Sequence, residues 1–185
     1  MIVEDDQLGS SNITYDELAA KTNQFAEIIK NLKLEKQSRV LVRLPNCLHY
    51  PIAFLGAMKA GCIAVPTSTL LTATEVIYLA KDSEAAVLVT DHETWKSLEP
   101  IAEELTFLKA VFIHQASHDL SSDYLDVKDL GIEMDKIEVC TPNPATKSDD
   151  PAYLVYTSGT TGYPKGVLHA HRALLGRNPA SKYWF

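Results

Sequence analysis

The feature that most constrains how this chain can fold is an alternation. Short runs of aliphatic and β-branched residues are separated by longer segments whose apolar positions recur at helical spacing. Residues 39–44 (Arg39-Val40-Leu41-Val42-Arg43-Leu44), 62–65, 86–90 and 110–113 read as strands. Between them the helix signals are specific. Thr14-Tyr15-Asp16-Glu17 and Thr72-Ala73-Thr74-Glu75 both fit the capping box, in which a threonine hydroxyl and a glutamate three residues on satisfy each other's amides. Leu18, Phe25, Ile28, Ile29 and Leu32 then predict a helix over 15–32, and a second capped helix runs to about Asp82. Pro51 suits the first turn of a helix that Gly61 closes, and a polar-faced helix is expected near 94–105. Strands alternating with helices predict parallel βαβ units in an α/β fold.

Residues 117–150 break the rhythm. Ser, Asp and Pro dominate, and the segment reads as a long surface excursion within one domain, with a short helix around 124–130. Charged residues make up 22% of the chain and apolar ones 46%, the balance of a globular protein rather than a disordered one. The net charge of −7 gives no general attraction to nucleic acid or to an anionic membrane. The longest apolar stretch, 51–66, is interrupted by Lys59 and is too short to span a bilayer. The first residues lack the features of a signal peptide, so a cytoplasmic protein is expected. Cys47, Cys62 and Cys140 form no C-x-x-C pair and suggest buried, reduced thiols. No zinc-like cluster with the histidines is predicted; His49, His92, His114 and His118 fall in or near turns and receive no functional reading.

Chemistry concentrates after this excursion. Tyr153-Leu154-Val155-Tyr156 is a β-prone run that enters a loop dense in glycine and hydroxyls and ends on a lysine. Val167-Leu168 leads out, which predicts a strand–loop–strand hairpin. Glycine lets backbone amides converge on one anion. The hydroxyls of Thr157, Ser158, Thr160 and Thr161 donate to phosphoryl oxygens, Lys165 adds a point charge, and Pro164 stiffens the loop. From Lys165 onward the chain carries Lys165, Arg172, Arg177 and Lys182 with no acidic residue, an arrangement that fits an anion site as well as a solvated helix face. The Walker pattern G-x-x-x-x-G-K-[ST] is not met: counting from Gly159, Pro164 stands where the second glycine is due and Gly166 follows the lysine.

The string Tyr156-Thr157-Ser158-Gly159-Thr160-Thr161-Gly162-Tyr163-Pro164-Lys165-Gly166 resembles, position for position, the phosphate-loop signature of the adenylate-forming superfamily. That family includes acyl-CoA synthetases, peptide-synthetase adenylation domains and firefly luciferase. Ile13-Thr14-Tyr15-Asp16-Glu17-Leu18 is similar to the family's early "TYxEL" helix start, and Met58-Lys59-Ala60-Gly61-Cys62-Ile63-Ala64-Val65-Pro66 to its "KAGxxxVP" turn. Both are fold markers.

The resemblance implies a two-step reaction. A carboxylate attacks the α-phosphate of Mg2+-bound ATP, pyrophosphate leaves, and the acyl-adenylate passes its acyl group to a thiol, usually that of coenzyme A. It further implies that Thr157, Ser158, Thr160, Thr161 and Lys165 hold the pyrophosphate part of ATP, with Gly159, Gly162 and Gly166 shaping the loop. His171 either caps the next helix or lies near the acyl site. The family's magnesium-binding glutamate, ribose-binding aspartate and catalytic lysine have no counterpart in these 185 residues. The expectation is therefore an incomplete N-terminal AMP-binding domain, without the small C-terminal domain and not competent alone, of a short- or medium-chain or aromatic acyl-CoA synthetase in fatty acid metabolism. An isolated piece of parallel sheet is expected to be marginally stable and prone to associate. The alternatives are an amino-acid adenylation domain, a non-catalytic nucleotide-binding remnant, and a plain α/β domain with a coincidental turn.

Overall fold

The two predicted capping boxes form. Thr14 Oγ1 accepts the Glu17 amide at 3.2 Å while the Glu17 carboxylate accepts the Thr14 amide at 2.8 Å. Thr72 and Glu75 repeat the exchange at 3.4 and 2.8 Å. These pairs satisfy amides that a first helical turn leaves without partners, and so set the starts of α1 (Tyr15–Asn31) and α3 (Ala73–Asp82). The computed structural model describes residues 2–5, 9–116, 122–138, 146–158 and 162–183. A short antiparallel hairpin, β1 (Ile2–Asp5) with β2 (Gly9–Asn12), precedes α1.

The body is a seven-stranded sheet built from β3 (Arg39–Arg43), β4 (Ile63–Pro66), β5 (Ala85–Asp91), β6 (Ala110–His114), β7 (Val127–Asp129), β8 (Pro151–Thr157) and β9 (Lys165–Ala170). Their spatial order is β7-β6-β5-β3-β4-β8-β9, and every pairing is parallel except the antiparallel hairpin of β8 and β9. Helix α2 (His49–Lys59) joins β3 to β4, and α3 carries the chain over β3 to β5. Helices cover both faces. Phe25, Ile29, Ile52, Ala57, Val40, Val42 and Phe112 bring α1 and α2 against one face; Val76, Leu79, Leu41, Leu88, Trp95 and Leu105 form the core on the other. Burial on both sides is why these strands read as continuous apolar runs rather than alternating ones.

Helices α1 and α2 meet where α2 has no side chain. A Cβ on Gly56 would lie 2.8 Å from Phe25 Cδ1 and 2.9 Å from the Thr22 carbonyl oxygen, so glycine permits the close approach. Lys59, the charge that interrupts the apolar stretch, crosses to α1 and donates to Thr22 Oγ1 at 2.7 Å and Asn23 Oδ1 at 2.8 Å. Gly61 then ends the helix at a φ of +78°, as the sequence predicts.

Two predictions are corrected. The segment over 94–105 is not one helix. An α-helix, α4 (His92–Leu98), capped by the Asp91 carboxylate, gives way to a 3₁₀ segment (Glu99–Leu105) that contains Pro100 and a non-helical Ile101. Proline removes an amide and crowds the preceding turn, which ends the α-helix there. Nor do residues 124–130 form a helix. Val127–Asp129 adds an outer parallel strand beside β6, and the helix α5 (Leu130–Asp135) starts later, with the Asp129 side chain accepting the Ile132 amide at 2.8 Å. Leu130 and Met134 of α5 are buried against the core, so this part of the 117–150 segment packs rather than merely crossing the surface.

Candidate phosphate-binding site

Because β8 runs parallel to β4, its last residue emerges at the carboxyl-terminal rim of the sheet, where open α/β sheets gather their ligands. The hairpin register sets Thr157 opposite Lys165 and Tyr156 opposite Gly166. Thr157 Oγ1 lies 3.5 Å from the Lys165 carbonyl oxygen. The two residues therefore stand side by side at the mouth of the loop. Thr157, Ser158, Gly162, Lys165 and Gly166 are all exposed there, while Gly159, Thr160 and Thr161 lie outside the described residues. Gly162 has a φ of +135°, a conformation that side chains with a Cβ rarely adopt. A Cβ on Gly166 would meet Leu154 Cδ1 at 2.9 Å.

Helix α3 supports the loop. The Tyr163 ring stacks on Tyr78 with centroids 4.8 Å apart and planes inclined by 22°. One turn further along, Asp82 accepts the Tyr156 hydroxyl at 2.5 Å. Burial, reinforced by this bond to Asp82, raises the Tyr156 phenol above its ordinary range and keeps it a donor. Tyr78 and Asp82 sit four residues apart and so share one helical face. The start of α3 is fixed in turn by Arg43, whose guanidinium donates to the carbonyls of Ser68, Thr69 and Leu71 at 3.3, 2.8 and 2.5 Å. Burial lowers the Arg43 pKa, and Asp91 opposes that shift. A cleft of about 420 Å³ lies between α3 and the loop, lined in part by Leu71, Tyr78, Tyr163 and Pro164.

Sequence reasoning found the loop but not its supports. Tyr78 and Asp82 belong to no motif, and a Tyr/Asp pair on one face of a helix does not reveal a partner far along the chain. The loop contains no carboxylate between Thr157 and Gly166, so this stretch supplies hydroxyls, amides and one cation but no acidic ligand for Mg2+.

His171 stands elsewhere. It follows β9 at the end of the hairpin paired with Pro151, five residues past Gly166 and roughly 17 Å away at the strand rise. It occupies the N-cap position of α6 (Arg172–Gly176), but its side chain makes no capping hydrogen bond. Its Nε2 is buried without a partner among the described residues, and the residue lines a cavity of about 350 Å³ together with Tyr15, Leu18, Met58 and Lys59. Beyond α6 the short helix α7 (Asn178–Tyr183) follows.

A second group of side chains, which the sequence reading did not bring together, converges at the same rim on the α2 face. Cys47, His49 and His114 place one ligand atom each within 4.8 Å of one another. The sequence suggested no zinc-like cluster; the fold nevertheless brings these three side chains together. Burial, with the neighbouring His114 and Lys21, holds the His49 imidazole down at about 4 against the pull of Asp129.

Comparison with known proteins agrees with the geometry. The sequence profile of the family described as "AMP-binding enzyme" matches residues 3–183. A long-chain-fatty-acid–CoA ligase of Mycobacterium tuberculosis is 29% identical over 162 residues, covering 88% of this chain and 30% of that protein. A benzoate–CoA ligase of Thauera aromatica is 32% identical over 167 residues, covering 90% and 30%. Among solved structures, an anthranilate CoA ligase in complex with anthranoyl-AMP superposes with a TM-score of 0.81 at 25% identity, over 94% of this chain and 32% of that one. The chain thus spans about 30% of the length of the curated relatives it matches.

Proposed function

This chain belongs to the AMP-binding enzyme family, and on that premise we propose that it supplies the ATP-phosphate site of an AMP-forming acid–thiol ligase. The observation that carries the reading is the loop from Thr157 to Gly166, held between antiparallel strands at the carboxyl-terminal rim and ending on Lys165. In this reading a carboxylate oxygen bonds to the α-phosphorus of ATP and the bond to pyrophosphate breaks. A thiol, that of coenzyme A, then takes the acyl group and AMP leaves. The loop's part is to hold the departing pyrophosphate. Thr157, Ser158, Thr160 and Thr161 donate hydroxyls, Gly159, Gly162 and Gly166 give the backbone its path, and Lys165 balances charge that grows on the leaving group. Bound with the nucleotide, Mg2+ would neutralise phosphate charge, and the stretch from Thr157 to Gly166 would offer it no carboxylate ligand.

The acid is a short- or medium-chain, or an aromatic, carboxylic acid; relatives named for benzoate and for long-chain fatty acids bracket that range. Residues 1–185 form part of one N-terminal AMP-binding domain, with 117–150 an excursion inside it. No helix among the described residues is long and apolar enough to cross a membrane, and we place the protein in the cytoplasm. His171 serves the structure beneath the hairpin rather than the acyl pocket, because it sits at the end remote from the loop.

The test is carboxylate-dependent exchange of labelled pyrophosphate into ATP, measured on a form of the protein as long as its relatives against a panel of acids, since the 185 residues alone are not expected to complete the reaction. Exchange that depends on one class of acid and disappears in Lys165→Ala is the expected result. A folded protein that binds ATP yet exchanges with no acid would replace this reading with that of a nucleotide-binding module.

A further inference from the structure

We propose that Cys47, His49 and His114 form a binding site for a thiolate- and imidazole-seeking divalent cation of the zinc type, distinct from the phosphate loop. The placement follows from the fold. His114 is the last residue of β6 and shares its side of the strand with Ala110 and Phe112, which pack into the core beneath α1, α2 and α5. Cys47 lies in the turn that leaves β3. The turn is fixed by the Cys47 amide donating to the Pro45 carbonyl at 2.8 Å and the Tyr50 amide donating to the Cys47 carbonyl at 3.2 Å. His49 opens α2. Two segments remote in sequence, residues 47–49 and the end of β6, thus deliver one sulfur and two imidazoles to a single point at the rim.

The spacing suits a metal. The three ligand atoms lie within 4.8 Å of one another, and the two imidazole rings have centroids 4.2 Å apart at 32°. Zinc bonds nitrogen at about 2.0–2.1 Å and thiolate sulfur at about 2.3 Å, so tetrahedral ligand atoms stand about 3.5 Å apart. Closing the cluster onto a cation draws the ligand atoms together by about an ångström and swings the two imidazoles out of their tilted stack, because rings that share a tetrahedral zinc have centroids about 5 Å apart. One sulfur and two imidazole nitrogens favour zinc over magnesium or calcium, which take oxygen ligands. All three residues are half-buried, so the cluster is within reach of solvent. Asp129, whose charge reaches His49, is already engaged: its oxygens accept the Ile132 amide at 2.8 Å and the Ala116 amide at 3.3 Å. It therefore lends the site negative charge rather than a ligand. A cation here would tie the β3–α2 turn to the end of β6 across the intervening β5.

Titration of Co2+ into the reduced, metal-stripped chain tests the proposal, because a cobalt–thiolate bond produces a charge-transfer absorption band. One equivalent of Co2+ is expected to generate the band and Zn2+ to abolish it by displacement. Cys47→Ser removes the band, His114→Gln weakens binding by about tenfold or more, and Cys140→Ser leaves both unchanged. Absence of a band, or a band that survives Cys47→Ser, overturns the assignment. Circular dichroism establishes that each variant is folded. Should Cys47→Ser lose its fold, the pair His49→Gln and His114→Gln decides: weakened binding in both supports the site, and unchanged binding in both overturns it.

Discussion

Arg43 is 4% exposed, yet it ends a strand in the middle of the sheet, and its charge is justified by what it holds. Its three carbonyl partners all belong to the turn between β4 and α3, so one guanidinium shapes the approach to the phosphate loop. Arg43→Met keeps the buried stem but leaves those carbonyls without a donor. We expect it to cost about 3 kcal/mol, read by urea denaturation, which is the usual consequence of stranding buried acceptors of a charged donor. A loss under about 1 kcal/mol would mean that water replaces the guanidinium. At this scale little was legible beforehand. An arginine at the end of an apolar strand reads as a boundary marker, and the contacts of Arg43, like those of Tyr78 with Tyr163 and of Cys47 with His114, depend on where the chain returns.

Elements were legible where their signals are local. The starts of α1 and α3 depend on a threonine and a glutamate three residues apart, and both capping boxes form as read. The helix expected over 94–105 shifted and broke because Pro100 acts within a turn of itself, a signal present in the sequence. The α3 cap carries a pH dependence. Hydrogen bonds from the Thr72 amide and hydroxyl lower the Glu75 pKa below 4.5. A carboxylate depressed in the folded state contributes stability fully above its unfolded value and loses it as pH falls through the lower, folded one. Glu75→Gln should therefore destabilise the chain near neutral pH and converge with the parent at low pH, as measured by thermal melts. Parallel curves at all pH values would contradict this. Thr72→Ala should cost about 1 kcal/mol.

For the whole molecule, the parallel βαβ sheet was readable from alternation, and the strand–loop–strand hairpin at its end from the β-prone runs that flank the glycine-rich string. The outer strand β7 was not, since only three residues form it. Among the described residues no strand pairs with the outer edge of β9, where Leu168 is 54% exposed, and Leu175 beyond it is 76% exposed. An uncovered strand with apolar neighbours invites pairing between chains. The 185-residue chain should therefore associate as its concentration rises, as seen by light scattering, and Leu168→Lys should reduce that association; a monomer that melts reversibly would count against it. The account as a whole depends on ATP phosphates binding between Thr157 and Gly166. The most direct check is calorimetric titration of ATP into the folded chain beside its Lys165→Ala variant. The account predicts binding that the variant weakens by about tenfold or more with circular dichroism unchanged, the worth of one charge-assisted contact. Equal affinity in the two proteins would contradict it.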